Sequence, residues 1–283
     1  MLHIRLALCL LVRVQCLEFA SHFMDISMTN TPCEFVWYEL MTSDGPAAEA
    51  FYQAVVGWTV QDAGMPSMRY ALASAGSTQV GGIMTLPAEA KAAGAQPGWC
   101  GYIAVPDVDA HTERVVQAGG TVHMPPTDIP GVGRFALVAD PQSAVFALFK
   151  GLPAERPAPP PAGTPGTFGW NELHAVDDAA AFTLYADLFG WTAAEAMDMG
   201  PMGTYQLFAA GAASIGGMMR RADGGTRAHW LYYIHVEQID EALDRVRAHG
   251  GQVLNGPMEV PGNMWILQCT DPQGAQFALL GTR

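Results

Sequence analysis

Three residues in the second half of the chain have side chains that could act together in catalysis. Glu172 and His174 stand two positions apart in FGWNELHAVD, and His235 stands in WLYYIHVEQID. Both segments favour β-strands, in which alternate side chains share a face. The three residues form a candidate catalytic cluster, either a displaced two-histidine, one-carboxylate metal site or a histidine general base oriented by a glutamate. Alternatively, these groups only hydrogen-bond one another across a sheet or lie at its edge.

Five further residues on predicted strands are candidates for binding a ligand. They are Trp37, Glu39, Tyr102, Trp170 and Tyr233. Broad aromatic surfaces suit a flat apolar ligand, although core packing explains the same residues equally well. Glu39 and Glu172 both occur in the phrase W-x-E-L, and a carboxylate on an apolar strand needs a partner, a ligand or solvent. Position 104 is alanine where the second half has His235, so polar chemistry is expected mainly in the second half.

An internal repeat organises these candidates. FVWYELMTSD returns as FGWNELHAVD, FYQAVVGW as LYADLFGW, and DPQSAVFALF as DPQGAQFALL, at a near-constant offset. Such self-similarity indicates two copies of one fold. Between the copies lies GLPAERPAPPPAGTPG, whose prolines favour a stiff extended connector. We therefore predict a module over residues 35–150, a proline-rich linker over 151–166 and a second module over 167–283, preceded by an extension over 1–34.

Each copy contains two similar runs of predicted elements. After the strand around Glu39, Asp44-Gly-Pro supplies a capping side chain and a first-turn proline, and Gly57 ends the helix. Three strands follow, with SAGS as the turn between the last two. The same order begins again at Trp99, with a helix that starts at Asp107. The sequence thus predicts an α+β fold of four βαβββ units.

The charge and the cysteines limit the partners and the location. The chain has 14 Lys and Arg against 27 Asp and Glu, a formal charge of -13. This balance opposes binding to nucleic acid or an anionic membrane, since both rely on basic patches. The five cysteines are scattered and form no CxxC pair, a pattern typical of a reducing compartment. We expect a cytoplasmic protein with a small-molecule ligand.

The extension over residues 1–34 has three interpretations. Its apolar run, Leu6 to Val12, is too short to span a bilayer. The segment could be an upstream extension before a start at Met24 or Met28, a poor signal peptide, or a surface segment. We exclude it from the fold.

The repeated FY…GW phrase, the GG between strands and the DPQ turn resemble the vicinal oxygen chelate superfamily, which includes glyoxalase I, extradiol dioxygenases and bleomycin-resistance proteins. In phrasing the chain is most similar to the tandem lactoylglutathione-lyase-related bacterial proteins called glyoxalase-like. The resemblance implies two half-barrel modules, each a cup for a ligand. It also implies a paired arrangement, met within one chain as a monomer or between chains as a homodimer.

The resemblance also implies where metal ligands would stand. Those positions are Trp37, Cys100 and Ala147 in the first copy and Trp170, Leu231 and Ala278 in the second. Only the thiol is a usual ligand, so we expect no standard metal site and no cofactor. The alternative is a divalent metal at Glu172, His174 and His235.

Two functions follow from these expectations. The first is a protein that binds or sequesters a small apolar or oxygenated metabolite in apolar aromatic cups, similar to the resistance branch. The alternative is a lactoylglutathione-lyase-related enzyme, of lyase or dioxygenase type, that uses the displaced Glu/His site of the second module.

Overall fold

A computed structural model describes residues 33–65, 68–92, 94–153, 160–222 and 224–283. Nearly all of the extension predicted over residues 1–34, and part of the linker predicted over 151–166, lie outside the described residues. Among the described residues, no helix has the length and apolar character needed to cross a membrane.

The first copy consists of two βαβββ units joined by a short helix. Its elements are β1 (Phe35–Thr42), α1 (Gly45–Val56), β2 (Thr59–Asp62), β3 (Tyr70–Ala75), β4 (Thr78–Thr85), the connecting α2 (Ala88–Ala92), β5 (Gly98–Ala104), α3 (Val108–Gln117), β6 (Thr121–Ile129), β7 (Gly133–Ala139) and β8 (Val145–Gly151). The predicted order of elements in this copy is confirmed.

The second copy repeats the same order. Its elements are β9 (Phe168–Ala175), α4 (Asp178–Phe189), β10 (Thr192–Asp198), a 3-10 turn (Gly200–Met202), β11 (Thr204–Ala210), β12 (Ala213–Arg220), β13 (His229–Gln238), α5 (Ile239–Ala248), β14 (Gln252–Val260), β15 (Met264–Thr270) and β16 (Gln276–Thr282). The predicted α+β class with four βαβββ units is therefore confirmed.

The helix boundaries follow the capping signals in the sequence. The side chain of Asp44 accepts the backbone N–H of Ala47 at the start of α1, and Asp177 caps α4 in the same way. Gly57 ends α1 in the left-handed region with φ 83°. A residue with a Cβ is disfavoured there, so this glycine fixes where the chain turns into β2.

Each copy forms one eight-stranded mixed sheet. The strand order is β2-β3-β4-β1-β5-β8-β7-β6 in the first and β10-β11-β12-β9-β13-β16-β15-β14 in the second. The first strand of each copy pairs in parallel with the fourth, while the hairpins between them are antiparallel. Glu172 and His174 of β9 therefore lie beside Gly217 and Met219 of β12.

Packing divides the chain into two compact units, and each takes elements from both copies. Of the described residues, the β1/β13 unit comprises those within 37–100, 160–170 and 231–283, and the β5/β9 unit comprises those within 33–36, 101–153 and 171–230. Each compact unit thus contains one βαβββ motif from the first copy and one from the second.

The repeated phrases hold the β1/β13 unit together. Tyr52 of α1 donates its hydroxyl to Oδ2 of Asp271 at 3.3 Å, and Nε1 of Trp99 donates to the Tyr52 oxygen at 2.9 Å. Trp58 donates Nε1 to the carbonyl oxygen of Gly166 at 2.7 Å. The FY…GW phrase of the first copy is thereby bonded to the DPQG turn of the second copy.

The β5/β9 unit contains the reciprocal arrangement. Tyr185 of α4 donates to Oδ2 of Asp140 at 3.2 Å, and Trp230 donates Nε1 to the Tyr185 oxygen at 3.2 Å. Trp191 donates Nε1 to the carbonyl oxygen of Cys33 at 2.6 Å. The chain carries the phrase twice because each copy binds the DPQ turn of the other.

The two DPQ turns differ at one strained position. Ser143 has φ 74°, and its counterpart in the second copy is Gly274 with φ 93°. The left-handed region costs an L-residue about 1 kcal/mol that glycine avoids. Ser143→Gly is therefore expected to raise the free energy of unfolding by about 0.5–1 kcal/mol, measured by denaturant titration. Gly274→Ser is the matched control and should lower it, and an unchanged or reduced stability in Ser143→Gly would contradict the expectation.

Candidate functional site

Glu172 is the centre of a hydrogen-bonded group in the β5/β9 unit. Its Oε1 lies 2.7 Å from Nε2 of His174, and its Oε2 accepts the hydroxyl of Tyr205 at 2.9 Å. The ring of His229 lies parallel to that of His174, with centroids 4.8 Å apart. We call Glu172, His174, Tyr205 and His229 the second-copy cluster. It contains two imidazoles, a carboxylate and a phenol, each in contact with at least one other member.

The strands place these groups through alternation and through a missing side chain. Glu172 and His174 are two apart on β9 and share a face. Gly217 of β12 is the register partner of Glu172. A Cβ at Gly217 would lie 2.3 Å from Cζ of Tyr205, so only glycine leaves room for the phenol to reach Glu172. The GG phrase of the repeat is thus part of the site.

The β1/β13 unit holds a related but simpler group. Tyr70 donates its hydroxyl to Oε2 of Glu39 at 3.1 Å, and Nε1 of Trp37 donates to the Tyr70 oxygen at 3.3 Å. We call Trp37, Glu39 and Tyr70 the first-copy cluster. Gly82 has the same role as Gly217, because its Cβ would lie 2.1 Å from the Tyr70 hydroxyl. Desolvation and then the neighbouring Glu39 charge raise the pKa of Tyr70 well above its ordinary value, which keeps the phenol a donor.

The two clusters share the Glu–Tyr pair and differ in their histidines. Met41 and Gly98 stand in the first copy where His174 and His229 stand in the second. Sequence analysis did not identify Tyr70, Tyr205 and His229 as site residues, because they lie on other strands than the W-x-E-L phrase. The repeated R-Y-A-L and T-Y-Q-L segments, each followed by GG, were the available signal.

His235 belongs to the β1/β13 unit, whereas Glu172 and His174 belong to the β5/β9 unit. Its ring lies against the backbone of Gly169, where a Cβ would be 1.9 Å from Nε2. Burial lowers the pKa of His235 below its ordinary value. The structure thus brings Glu172 and His174 together, and His229 is the imidazole that stacks on the His174 ring. The participation of His235 in the site stays a prediction.

The remaining ligand-binding candidates are largely buried. Tyr102 stacks on Phe135 with centroids 6.2 Å apart. Tyr233 is 2% exposed and accepts a hydrogen bond from Nε2 of Gln268 at 2.9 Å, while Trp170 packs beside it as a partly buried residue. These contacts place all three residues in aromatic or apolar surroundings, and ligand contact by them stays a prediction.

The residues do not fit the metal that the resemblance implies. At the implied positions stand Trp37, Ala147, Trp170, Leu231 and Ala278, none of which ligates metals, and the buried thiol of Cys100. In the second-copy cluster, both oxygens of Glu172 already accept hydrogen bonds. Across the part of the chain that the structure describes, no group of three or more His, Cys, Asp or Glu side chains suits a metal ion.

The protein family described as "Glyoxalase/Bleomycin resistance protein/Dioxygenase superfamily" matches this sequence over residues 34–148 and again over residues 168–279. The chain belongs to this superfamily. Its two matched segments correspond to the two copies of the repeat, so the suspected resemblance and the tandem organisation are confirmed.

Relatives within the superfamily span nearly the whole chain. A Mycobacterium tuberculosis protein named "Putative glyoxylase CFP32" is 34% identical over 247 residues, covering 86% of this chain and 93% of that protein. The Streptomyces peucetius protein named "Anthracycline biosynthesis protein DnrV" is 30% identical over 273 residues, covering 87% and 92%. The matched region thus takes in more than nine tenths of each of these relatives.

Solved structures of superfamily type share the fold at low identity. The Mn(II)-bound glyoxalase from Novosphingobium aromaticivorans has a TM-score of 0.59 at 18% identity, covering 89% of this chain and 82% of that one. The 2,3-dioxygenase LapB from Pseudomonas sp. KL28 has a TM-score of 0.63 at 12% identity, covering 89% and 93%. At such identities the likeness shows the fold alone.

The buried imidazole of His235 should make stability depend on pH. Its pKa is lowered in the folded state, so unfolding takes up a proton as the pH falls below the ordinary value of 6.5. The free energy of unfolding is therefore expected to decrease as the pH falls through this region, and His235→Gln should flatten the decrease. The matched control is His249→Gln at an exposed position, which should keep the wild-type slope. Equal slopes in wild type and His235→Gln would contradict the expectation.

Proposed function

We propose that this protein binds a small, mainly apolar molecule that carries oxygen, using the Glu–Tyr pairs and the neighbouring aromatic surface, without a metal ion. The observation that carries the proposal is the presence of the same pair in both copies, Glu39 with Tyr70 and Glu172 with Tyr205. Glu172 is buried and Glu39 is partly buried, and a carboxylate removed from water is costly to a fold unless its charge is compensated or used. Two copies that both retain it, each with a glycine that seats the tyrosine, favour a ligand-binding role.

The chemistry of the pair suits an oxygenated ligand. Glu172 is 6% exposed, its Oε2 accepts the hydroxyl of Tyr205, and its Oε1 lies 2.7 Å from Nε2 of His174. A carboxylate can accept several hydrogen bonds at once, so it suits a ligand that carries a hydroxyl group. One relative is named as a glyoxylase and another for anthracycline biosynthesis. Both names fit a chain that handles small oxygenated molecules.

Binding can be tested by calorimetric titration of a flat aromatic ligand whose hydroxyl group can donate a hydrogen bond to the carboxylate, such as para-nitrobenzyl alcohol. Glu172→Gln and Glu39→Gln are each expected to weaken binding at their own cluster by about tenfold, since a charge-assisted hydrogen bond contributes about 1.5–3 kcal/mol. Glu237→Gln, at an exposed position of β13, is the matched control. Dialysis against a chelator should leave the affinity unchanged. Saturable binding that is equal in all variants would contradict the proposal.

A second candidate function is an enzyme of lyase type that moves a proton through His174. The 2.7 Å contact between Nε2 of His174 and Oε1 of Glu172 favours it, because a carboxylate fixes the orientation of a histidine base in this way. Turnover of a hemithioacetal substrate by chelator-treated wild type, lost in His174→Gln, would support this candidate. Retained turnover in His174→Gln would exclude it.

We also propose a cytoplasmic location and a monomer in which one chain supplies the paired arrangement. Among the described residues, Cys33, Cys100 and Cys269 form no disulfide, which suits a reducing compartment. Each compact unit already combines both copies of the repeat, which supports pairing within the chain. Sedimentation analysis distinguishes this monomer from the alternative homodimer.

A further inference from the structure

The two clusters differ in a way that assigns them different chemistry. Both contain a glutamate that accepts a tyrosine hydroxyl. Only the second-copy cluster adds imidazoles, because His174 and His229 replace Met41 and Gly98 of the first copy. The first-copy cluster can donate and accept hydrogen bonds, and the second-copy cluster adds two imidazoles, whose ring nitrogens can accept a proton.

We propose that the second-copy cluster binds ligands with a weakly acidic hydroxyl group, a phenol or an enol, and accepts their proton at Nδ1 of His174. The inference rests on the proposed binding function and deepens it by naming the ligand class of one cluster.

The hydrogen bonds of Glu172 determine the tautomer of His174. Tyr205 donates to Oε2, and Nε2 of His174 lies 2.7 Å from Oε1. A carboxylate that accepts on both oxygens is ionised, so Nε2 must carry the proton that forms the second hydrogen bond. Neutral His174 then has its lone pair on Nδ1. The fixed tautomer makes this edge of the ring an acceptor.

Part of the His174 side chain reaches solvent, where a ligand can contact it. The His174 side chain is 17% exposed and that of Glu172 is 8% exposed. His229 stacks on a face of the His174 ring, with an interplanar angle of 3°, and not on its edge. Within the described ranges, the hydrogen bond of the His174 ring is the one to Glu172. His229 is therefore a positioning residue that holds the plane of the base.

The proton transfer is balanced within the complex. The ligand O–H bond breaks, an N–H bond forms at Nδ1 of His174, and the electron pair stays on the ligand oxygen. The imidazolium that results lies against the Glu172 carboxylate, and the ligand anion lies against the imidazolium. Such charge-assisted contacts are about twice as strong as neutral ones, and this favours the ionised form of the bound ligand.

The test compares para-nitrophenol with para-nitroanisole, which has the same aromatic frame but carries a methyl group in place of the acidic proton. The phenolate has its own visible absorbance, so ionisation of the bound ligand is read directly, and calorimetry gives both affinities. In full-length wild type, we expect the phenol to bind about tenfold more tightly than the anisole and to be more ionised when bound than when free at the same pH. His174→Gln should remove both differences while the anisole still binds.

Two further variants keep the test decisive. Glu172→Gln keeps the side-chain volume but removes the negative charge that stabilises the imidazolium, so it should also reduce the ionisation of the bound phenol. This variant provides the test if His174→Gln does not fold. His249→Gln, an exposed histidine outside both clusters, should behave as wild type. Equal affinities for phenol and anisole, or ionisation that survives in His174→Gln, overturn this inference and leave the proposed binding function standing. Failure of both ligands to bind overturns the two together.

Discussion

Residues 33–153 produced alone are expected not to fold as a stable monomer, and the same is expected of residues 160–283 alone. Each fragment lacks half of both compact units. Without the second copy, the α1 residue Tyr52 loses its acceptor Asp271, and helix α1 loses the residues of α5 and β16 that share its core, including Val246 and Phe277.

The loss extends to the capping of the helices. Arg245 of α5 donates Nε to the carbonyl oxygen of Val55 at the end of α1, and Arg114 of α3 donates to that of Leu188 at the end of α4. Each arginine comes from the other copy than the helix it caps. A separated copy therefore exposes core residues and uncapped helix ends together, and the expected effect exceeds the usual 5–15 kcal/mol of domain stability.

Circular dichroism and sedimentation of each fragment measure this outcome. Cleavage of the full chain between residues 153 and 160 is the control, because it breaks the connection but removes no residue of the described elements. The cleaved protein and the two fragments mixed together should both show native spectra. A fragment that pairs with a second copy of itself remains compatible with the expectation, since both copies contain the same phrases. A cooperatively folded monomer of either fragment would contradict the expectation.

Asp140→Ala should lower the free energy of unfolding by about 3–5 kcal/mol. Asp140 is 3% exposed, its Oδ1 accepts the backbone N–H groups of Gln142 and Ala144 at 2.8 Å, and its Oδ2 accepts the hydroxyl of Tyr185. The alanine leaves three donors without acceptors, and each buried unsatisfied group costs about 1–3 kcal/mol. Denaturant titration measures the change.

Three variants separate the causes of that loss. Tyr185→Phe removes one of the three hydrogen bonds to Asp140 and also the acceptor of Trp230 Nε1, and it should cost about 1–3 kcal/mol. Asp271→Ala in the other unit should resemble Asp140→Ala, because its backbone and tyrosine contacts are the same in kind. Asp244→Ala, at an exposed position, should change stability by less than about 0.5 kcal/mol. A loss below about 1 kcal/mol in Asp140→Ala would show that the DPQ turns do not hold the units together.

Burial of Asp140 also predicts the direction of a pH effect. Desolvation raises the pKa of Asp140 in the folded state above its ordinary value of 3.8. The folded state then holds its proton more tightly than the unfolded state, so this residue lowers stability as the pH rises from 3.8 through the raised pKa. Asp140→Asn keeps an acceptor oxygen and should remove this contribution.

Much of the fold could be predicted from the sequence because local signals determine it. The cap at Asp44, the glycine at 57 and the alternation of aromatic and aliphatic residues are physical requirements of helices and strands, and they gave the four βαβββ units. The shared face of Glu172 and His174 followed from the two-residue period of a strand. That pair in the second-copy cluster could therefore be identified from the sequence alone.

Only the tertiary structure decided which copy binds which. Tyr52 could be matched to either Asp140 or Asp271 from sequence, since both aspartates lie in identical DPQ phrases, and the partner is chosen by how the units pack. The same holds for His229, which joins His174 through space from another strand, while His235 lies in the other unit. Local sequence fixes periodicity and caps, but contacts between distant strands depend on the packing of the whole core, which no single segment encodes.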